Sequence, residues 1–141
     1  METNEKTVIT VETTVNEPIE KVWAYWNEPQ HVTKWNQASE DWHSPRGEND
    51  LRAGGKFTYR MEAKDGSFGF DFGGTYDVVD EHAYIEYTMG DSRKVQVTFT
   101  SDGDATKVVE KFEAENVYPH EQQKTGWQAI LDSFKKYTEA N

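Results

Sequence analysis

The sequence predicts an α+β fold: a curved antiparallel β-sheet gripping one long C-terminal α-helix, with two short helices after the first strand. Three observations predict it. The last stretch, Pro119 to Tyr137, carries Trp127, Ile130, Leu131, Phe134 and Tyr137 at steps of three and four, the period of a helix with one apolar face. Upstream, apolar residues alternate with polar ones in runs of strand length, joined by turns rich in Gly, Asp and Ser. No repeat, linker or low-complexity segment interrupts the 141 residues, so one domain spanning 1–141 is expected, long enough to bury its own core.

The elements follow in order. Val8 to Val15 places Ile9, Val11, Thr13 and Val15 on one face of a half-buried strand. Asn16, Glu17 and Pro18 signal the start of a helix, and Ile19, Val22, Trp23 and Trp26 continue at helical spacing to about Asn27. Pro29 begins a second short helix through Val32 and Trp35. Trp42, His43 and Ser44 suit a short strand, whereas Pro45 to Asp50 has the chemistry of a turn or loop. Phe57, Tyr59 and Met61 alternate up to a hairpin turn at Lys64 to Ser67, and Phe70, Phe72, Gly74, Tyr76 and Val78 alternate after it. Gly73 and Gly74 suggest a bulge that lets this strand curve. Ile85, Tyr87 and Met89 form the next inward set, and Val95, Val97 and Phe99 the one after. A turn at Ser101 to Asp104 leads into the last strand, with Thr106, Val108, Glu110 and Phe112 on one side. On the final helix Gln123, Lys124, Gln128, Asp132, Lys135, Lys136 and Glu139 form the solvated face. Gly126 suggests close approach to another backbone.

Composition excludes several classes. There is no cysteine, which removes disulfides, thiolate metal sites and cysteine nucleophiles. The polar start, Met1 to Lys6, has no apolar signal core, and no run nears the ~20 apolar residues of a membrane span, so a cytoplasmic protein is expected. A formal net charge of −11 disfavours nucleic acid and anionic membranes, which bind through Lys and Arg. The aromatic share, 13%, serves either a dense core or a pocket for flat, greasy ligands.

The order strand, two short helices, meander, long helix resembles the START-like or SRPBCC superfamily. The nearer resemblance is to the branch named after the activator of heat-shock-protein-90 ATPase, in its small bacterial single-domain form. It is carried by Pro18-Ile19-Glu20-Lys21-Val22-Trp23, by Gly54-Gly55-Lys56-Phe57, by the Phe70 to Tyr76 run with Gly73-Gly74, and by Gly126-Trp127 leading to Leu131 and Phe134. The resemblance covers nearly the whole chain. It implies a helix-grip fold and a deep cavity between sheet and long helix, used by various members for lipids, sterols, polyketides or plant-type aromatics. It does not imply one activity.

The expected cavity wall is Phe57, Tyr59, Phe70, Phe72, Tyr76, Tyr87, Val97 and Phe99 from the strands, with Trp127, Ile130 and Phe134 from the helix. Mutual core packing is the competing reading for each of them. Three inward tyrosines favour a polar-lined space, because a buried phenol needs a hydrogen-bond partner. Glu110 is the sharpest residue. Its inward parity between Val108 and Phe112 demands either a partner or a bulge that turns it to water. If buried, it is the candidate ligand-orienting group or general acid/base. His31, His43, His82 and His120 show no metal-ligand spacing; three suit the surface, while His43 beside Trp42 is a candidate for the cavity mouth. No metal or cofactor is expected.

Three functions compete. The first is binding of a small hydrophobic ligand, aromatic, polyketide-like or lipid, under the C-terminal helix. The second is an enzyme of cyclase, dehydratase or hydrolase type using the same cavity, with Glu110 or a tyrosine as acid/base. The third, suggested by the name of the resembling branch and its link to stress response, is a chaperone-interaction module, against which stands the absence of a second domain or basic patch in this sequence. A weak homodimer through sheet-edge or helix surfaces stays open.

Overall fold

The computed structural model describes residues 7–37, 39–116 and 118–141; the polar start at 1–6 lies outside them. Eight strands and three helices follow in the order β1 (Val8–Val15), α1 (Ile19–Asn27), α2 (Pro29–Trp35), β2 (Trp42–His43), β3 (Gly47–Asn49), β4 (Lys56–Ala63), β5 (Gly69–Asp80), β6 (Tyr84–Met89), β7 (Lys94–Asp102), β8 (Ala105–Glu113) and α3 (His120–Ala140). All pairings are antiparallel, in the spatial order β1-β8-β7-β6-β5-β4-β2, with β3 also against β4. The meander from β4 to β8 is what tight turns between alternating runs dictate, and β1 closes its far end by pairing with β8. This curled sheet around α3 is the helix-grip arrangement expected from the sequence.

Each helix is placed by the residues it buries. On α1, Val22 and Trp23 turn inward; on α2, Val32 and Trp35 do; on α3, Leu131 and Phe134 are almost wholly enclosed. Phe134 receives the edges of Trp26 and Trp35 at ring separations of 4.9 and 4.8 Å, which locks the three helices together. The Ser133 hydroxyl adds a hydrogen bond to the Trp35 carbonyl at 2.8 Å.

Four local expectations are corrected. Residues 47–49 form strand β3 rather than a loop; Gly47 is required there, because a side chain would collide with the Tyr59 ring lying across it. The irregularity in β5 lies between Tyr76 and Val78, not at Gly73-Gly74, whose pairing with β4 is continuous. One consequence is that Val78 turns out to solvent and Val79 packs on the core instead. A Cβ at Gly74 would sit 2.7 Å from the Thr88 carbonyl oxygen, so these glycines serve close strand approach. Gly126 has the opposite character, with nothing within 4 Å of a built Cβ. Gln123, expected on the wet face of α3, is buried: its side chain accepts from the Glu115 N–H at 2.9 Å and donates to the Tyr118 carbonyl at 2.8 Å, clamping the loop before α3.

Candidate functional site

The inner face of β4, β5 and β6 does not meet a helix directly. Between these strands and the three helices lies a cavity of about 350 Å³. Of the residues expected on its wall, Phe57, Tyr59, Phe70, Phe72, Tyr76, Tyr87, Glu110, Trp127 and Ile130 line it. Val97, Phe99 and Phe134 do not. They are 0%, 4% and 0% exposed: Phe99 packs against Trp23 and Trp26 at 5.2 and 5.8 Å, and Phe134 is enclosed between the helices by Trp26 and Trp35. Parity places a side chain on the inner face but does not say whether a helix already covers it.

Several lining residues were not singled out from the sequence: Trp26 and Asn27 of α1, Val32 and Trp35 of α2, and Asn36 just beyond it. Met61, Ile85 and Met89 also line the cavity and share the inward parity of their neighbours, which was the available signal. The short helices gave a weaker one, since amphipathic spacing marks a buried face without saying what it buries.

The aromatic wall is held by ring contacts. Phe57 lies 4.8 Å from Tyr87 edge-on and 5.2 Å from Tyr76. At the seam, Trp127 stacks on Phe112 at 3.9 Å, fixing α3 against β8 beside the opening. The polar part is sparse and specific. The Tyr76 hydroxyl donates to Asn49 Oδ1 at 2.7 Å, Asn49 Nδ2 donates to the Asn27 carbonyl at 2.7 Å, and Asn27 Nδ2 donates to the Trp23 carbonyl at 2.9 Å. This relay ties β5, β3 and α1 together, and it depends on the strand that turn-like composition concealed. The Tyr59 hydroxyl is buried with no partner among the described residues.

Glu110 settles inward. Register through β8 is unbroken on both sides, with Glu110 opposite Val11 on β1 and Val97 on β7, so no bulge turns it out. It is 6% exposed, lines the cavity, and has no hydrogen bond or ion pair among the described residues. Burial pushes its carboxyl up to about 8. Tyr87 is also raised well above its ordinary range, first by burial and then by the neighbouring Glu110 and Tyr76, with Arg93 opposing. Burial likewise raises Tyr59 and Tyr76.

Arg93 and Glu115 stand where the cavity meets a second, smaller recess of about 200 Å³ beside the start of α3. Arg93 is already engaged, with Nε 2.7 Å from Asp91 Oδ2 and a longer bond to the Glu113 carbonyl. The histidines stand apart: His43 lies near Glu62 and does not line the cavity, His120 is exposed, His82 sits in a turn with φ of 65°, and His31 is half-buried. His31 stacks on Tyr25 at 3.8 Å and hydrogen-bonds the Tyr137 hydroxyl at 2.8 Å, a structural clasp. Among the described residues no group of three or more His, Cys, Asp or Glu could hold a metal ion, and no helix is long and apolar enough to cross a membrane.

Residues 16–139 match the family described as Activator of Hsp90 ATPase homolog 1-like protein. The chain belongs to this family. Solved structures agree. The AHSA1-like protein from Aeromonas hydrophila is 45% identical, with a TM-score of 0.90 over 95% of this chain and 93% of that one. A protein from Cytophaga hutchinsonii is 61% identical, with a TM-score of 0.82 over 94% of this chain and 92% of that one. A Chromobacterium violaceum protein shares only 20% identity yet superimposes with a TM-score of 0.83 over 96% and 99% of the two chains, a likeness of fold alone. No curated protein matches the chain. As an AHSA1-like protein it has a helix-grip fold of a kind commonly used to hold ligands, and the family description carries no reaction.

Proposed function

We propose that this AHSA1-like chain, as a single domain, binds a small hydrophobic ligand of aromatic, polyketide-like or lipid character in the cavity between β4–β6 and the helices. The observation that carries the reading is a buried carboxyl, Glu110, without a partner among the described residues, opening onto a chamber walled mainly by aromatic and aliphatic side chains. A packed core does not retain such a group. An ionisable side chain that costs several kcal/mol to bury is tolerated where something else uses it. The chamber is of the size and apolar character that small-molecule sites adopt, ~300 to 1,000 Å³ with few polar groups.

The test is native mass spectrometry of freshly purified protein, followed by thermal shift against flat aromatic and acyl compounds. A co-purifying small molecule, or a melting temperature that climbs with ligand concentration as mass action requires, is the expected result. Silence across chemically diverse compounds would turn the search toward protein partners, including the chaperone-related ones suggested by the family description.

A second reading, an enzyme of cyclase, dehydratase or hydrolase type, draws on the same carboxyl. A group whose pKa stands at about 8 holds its proton at neutrality and passes it readily, as a general acid must. Turnover of a bound compound separates the two: Glu110→Gln would then lose rate far more than affinity.

A further inference from the structure

The ligand-binding reading extends to a class of ligand, and that extension rests on it. Among the described residues Glu110 is the only acidic side chain lining the buried part of the cavity; Glu115 stands at its junction with the outer recess. The groups around Glu110 come from every neighbouring element. Val11 of β1 and Val97 of β7 pair with it and Tyr87 of β6 feels its charge; the same cavity is lined by Tyr76 of β5, Tyr59 of β4, Arg93 at the β6–β7 turn, and Asn27, Trp127 and Ile130 from the helices. Among the described residues Arg93 is the only basic one lining the wall, and Asp91 already holds it at 2.7 Å. No cation among the described residues stabilises a Glu110 carboxylate, so inside this wall the carboxyl is an acid that keeps its proton and lacks an acceptor.

We propose that the cavity selects flat, uncharged ligands bearing a carbonyl-type oxygen, which accepts the hydrogen bond that no group among the described residues receives from the Glu110 carboxyl. Two alternatives fit the same wall less well. A ligand carboxylate would bury a second acid with no free cation beside it. An ammonium would gain from the aromatic faces, but it would have to draw the proton off Glu110 and bury an ion pair in place of a neutral acid, at the desolvation cost of two charges. A neutral acceptor completes the site without importing charge.

The experiment uses four probes of one shape: naphthyl methyl ketone, ethylnaphthalene, naphthoate and naphthylmethylamine, with dissociation constants measured by calorimetry. At about pH 7 the ketone is expected to bind roughly fivefold to tenfold tighter than the hydrocarbon, the worth of one hydrogen bond to a buried group. Because the Glu110 pKa stands at about 8, that preference should fade as pH rises beyond it. Glu110→Gln, whose amide still donates, should keep the ketone preference and lose the pH dependence. Glu110→Leu should bind ketone and hydrocarbon alike. Equal wild-type affinity for ketone and hydrocarbon would overturn the proposal while leaving the cavity a binding site. So would an amine that binds most tightly and gains at alkaline pH. If none of the four binds, the cavity reading itself fails and the proposal with it.

Discussion

The two halves of the inner sheet face are built from the same kind of residue and end in different states. On β1, β7 and β8, Val15, Val95, Val97, Val108 and Phe112 are each 0% exposed, pressed under α1 and α3. On β4, β5 and β6, Phe57, Tyr59, Tyr76, Tyr87, Met61 and Met89 are 5 to 7% exposed, and the space before them is open. Both halves alternate, and both are apolar. What differs is shape: the packed half is mostly valine, which lets the helices settle onto the sheet, whereas the open half is mostly large rings, which hold them off and leave a chamber between. Polarity accompanies shape, because Tyr59, Tyr76, Tyr87 and Glu110 all border the chamber. Substitutions on either side can break that contrast or sharpen it.

The largest effect is expected where the packed half meets the open one. Phe112→Ala removes a wholly buried ring and its stacked contact with Trp127 at 3.9 Å. A cost of about 3 to 5 kcal/mol is expected from urea unfolding, as for other buried phenylalanines. Phe72→Ala on the chamber wall, where the ring is only half-buried, should cost about half that or less. Equal losses at the two sites would erase the distinction between the halves.

Next comes the carboxyl. The Glu110 pKa is raised from 4.5 to about 8 on folding, so the native state holds its proton more tightly than the unfolded chain does. Its contribution is fully present below about pH 4.5 and is lost as pH climbs toward 8. Glu110→Gln keeps the shape and removes the titration. The variant should match wild type in mild acid and exceed its stability by about 2 to 4 kcal/mol near pH 9. Denaturant midpoints measured across that range check it; curves that run parallel at all pH values would show that folding does not raise the Glu110 pKa.

A smaller change is expected at Tyr59, whose buried hydroxyl has no partner among the described residues. Tyr59→Phe deletes an unmet polar group and keeps the ring, so stability should hold or rise by about 1 kcal/mol. A loss of that size in thermal unfolding would mean that the hydroxyl is satisfied, by water or by a ligand retained in the chamber.

Much of this was readable in the sequence because both periodicities were strong. Alternation located β1 and β4 to β8, and helical spacing located α3 to within a few residues. The short helices were marked by Pro18 and Pro29. What escaped depended on partners distant in the chain. β3 is three residues of turn-like composition, Gly47-Glu48-Asn49, made a strand only by pairing with Phe57 to Tyr59 of β4. The register shift after Tyr76 exchanges the roles of Val78 and Val79, and no local signal distinguishes two adjacent valines. The same limit applied to the site. Parity put Phe99 on the inner face as surely as Tyr87, but that Trp23 and Trp26 cover it is a fact of helix placement. Glu110 was legible for the opposite reason: a carboxylate among inward valines and phenylalanines conflicts with its local pattern, and the chamber resolves that conflict.

The smallest effect separates the chamber from the recess beside it. Gly126 borders that recess in the second turn of α3, and a Cβ built there has nothing within 4 Å. The residue therefore supplies no close approach, and its remaining influence is the conformational freedom it gives the unfolded chain. Gly126→Ala should raise stability by about 0.5 to 1 kcal/mol, the ordinary helix-interior gain. Because Gly126 lines the recess and not the main cavity, affinity for the naphthyl ketone should not change. Weaker binding by the stabilised variant would show that ligands extend past Arg93 and Trp127 into the recess. The site would then run from the Glu110 carboxyl out to the first turns of α3, and the comparison between packed and open halves would gain a third, polar compartment.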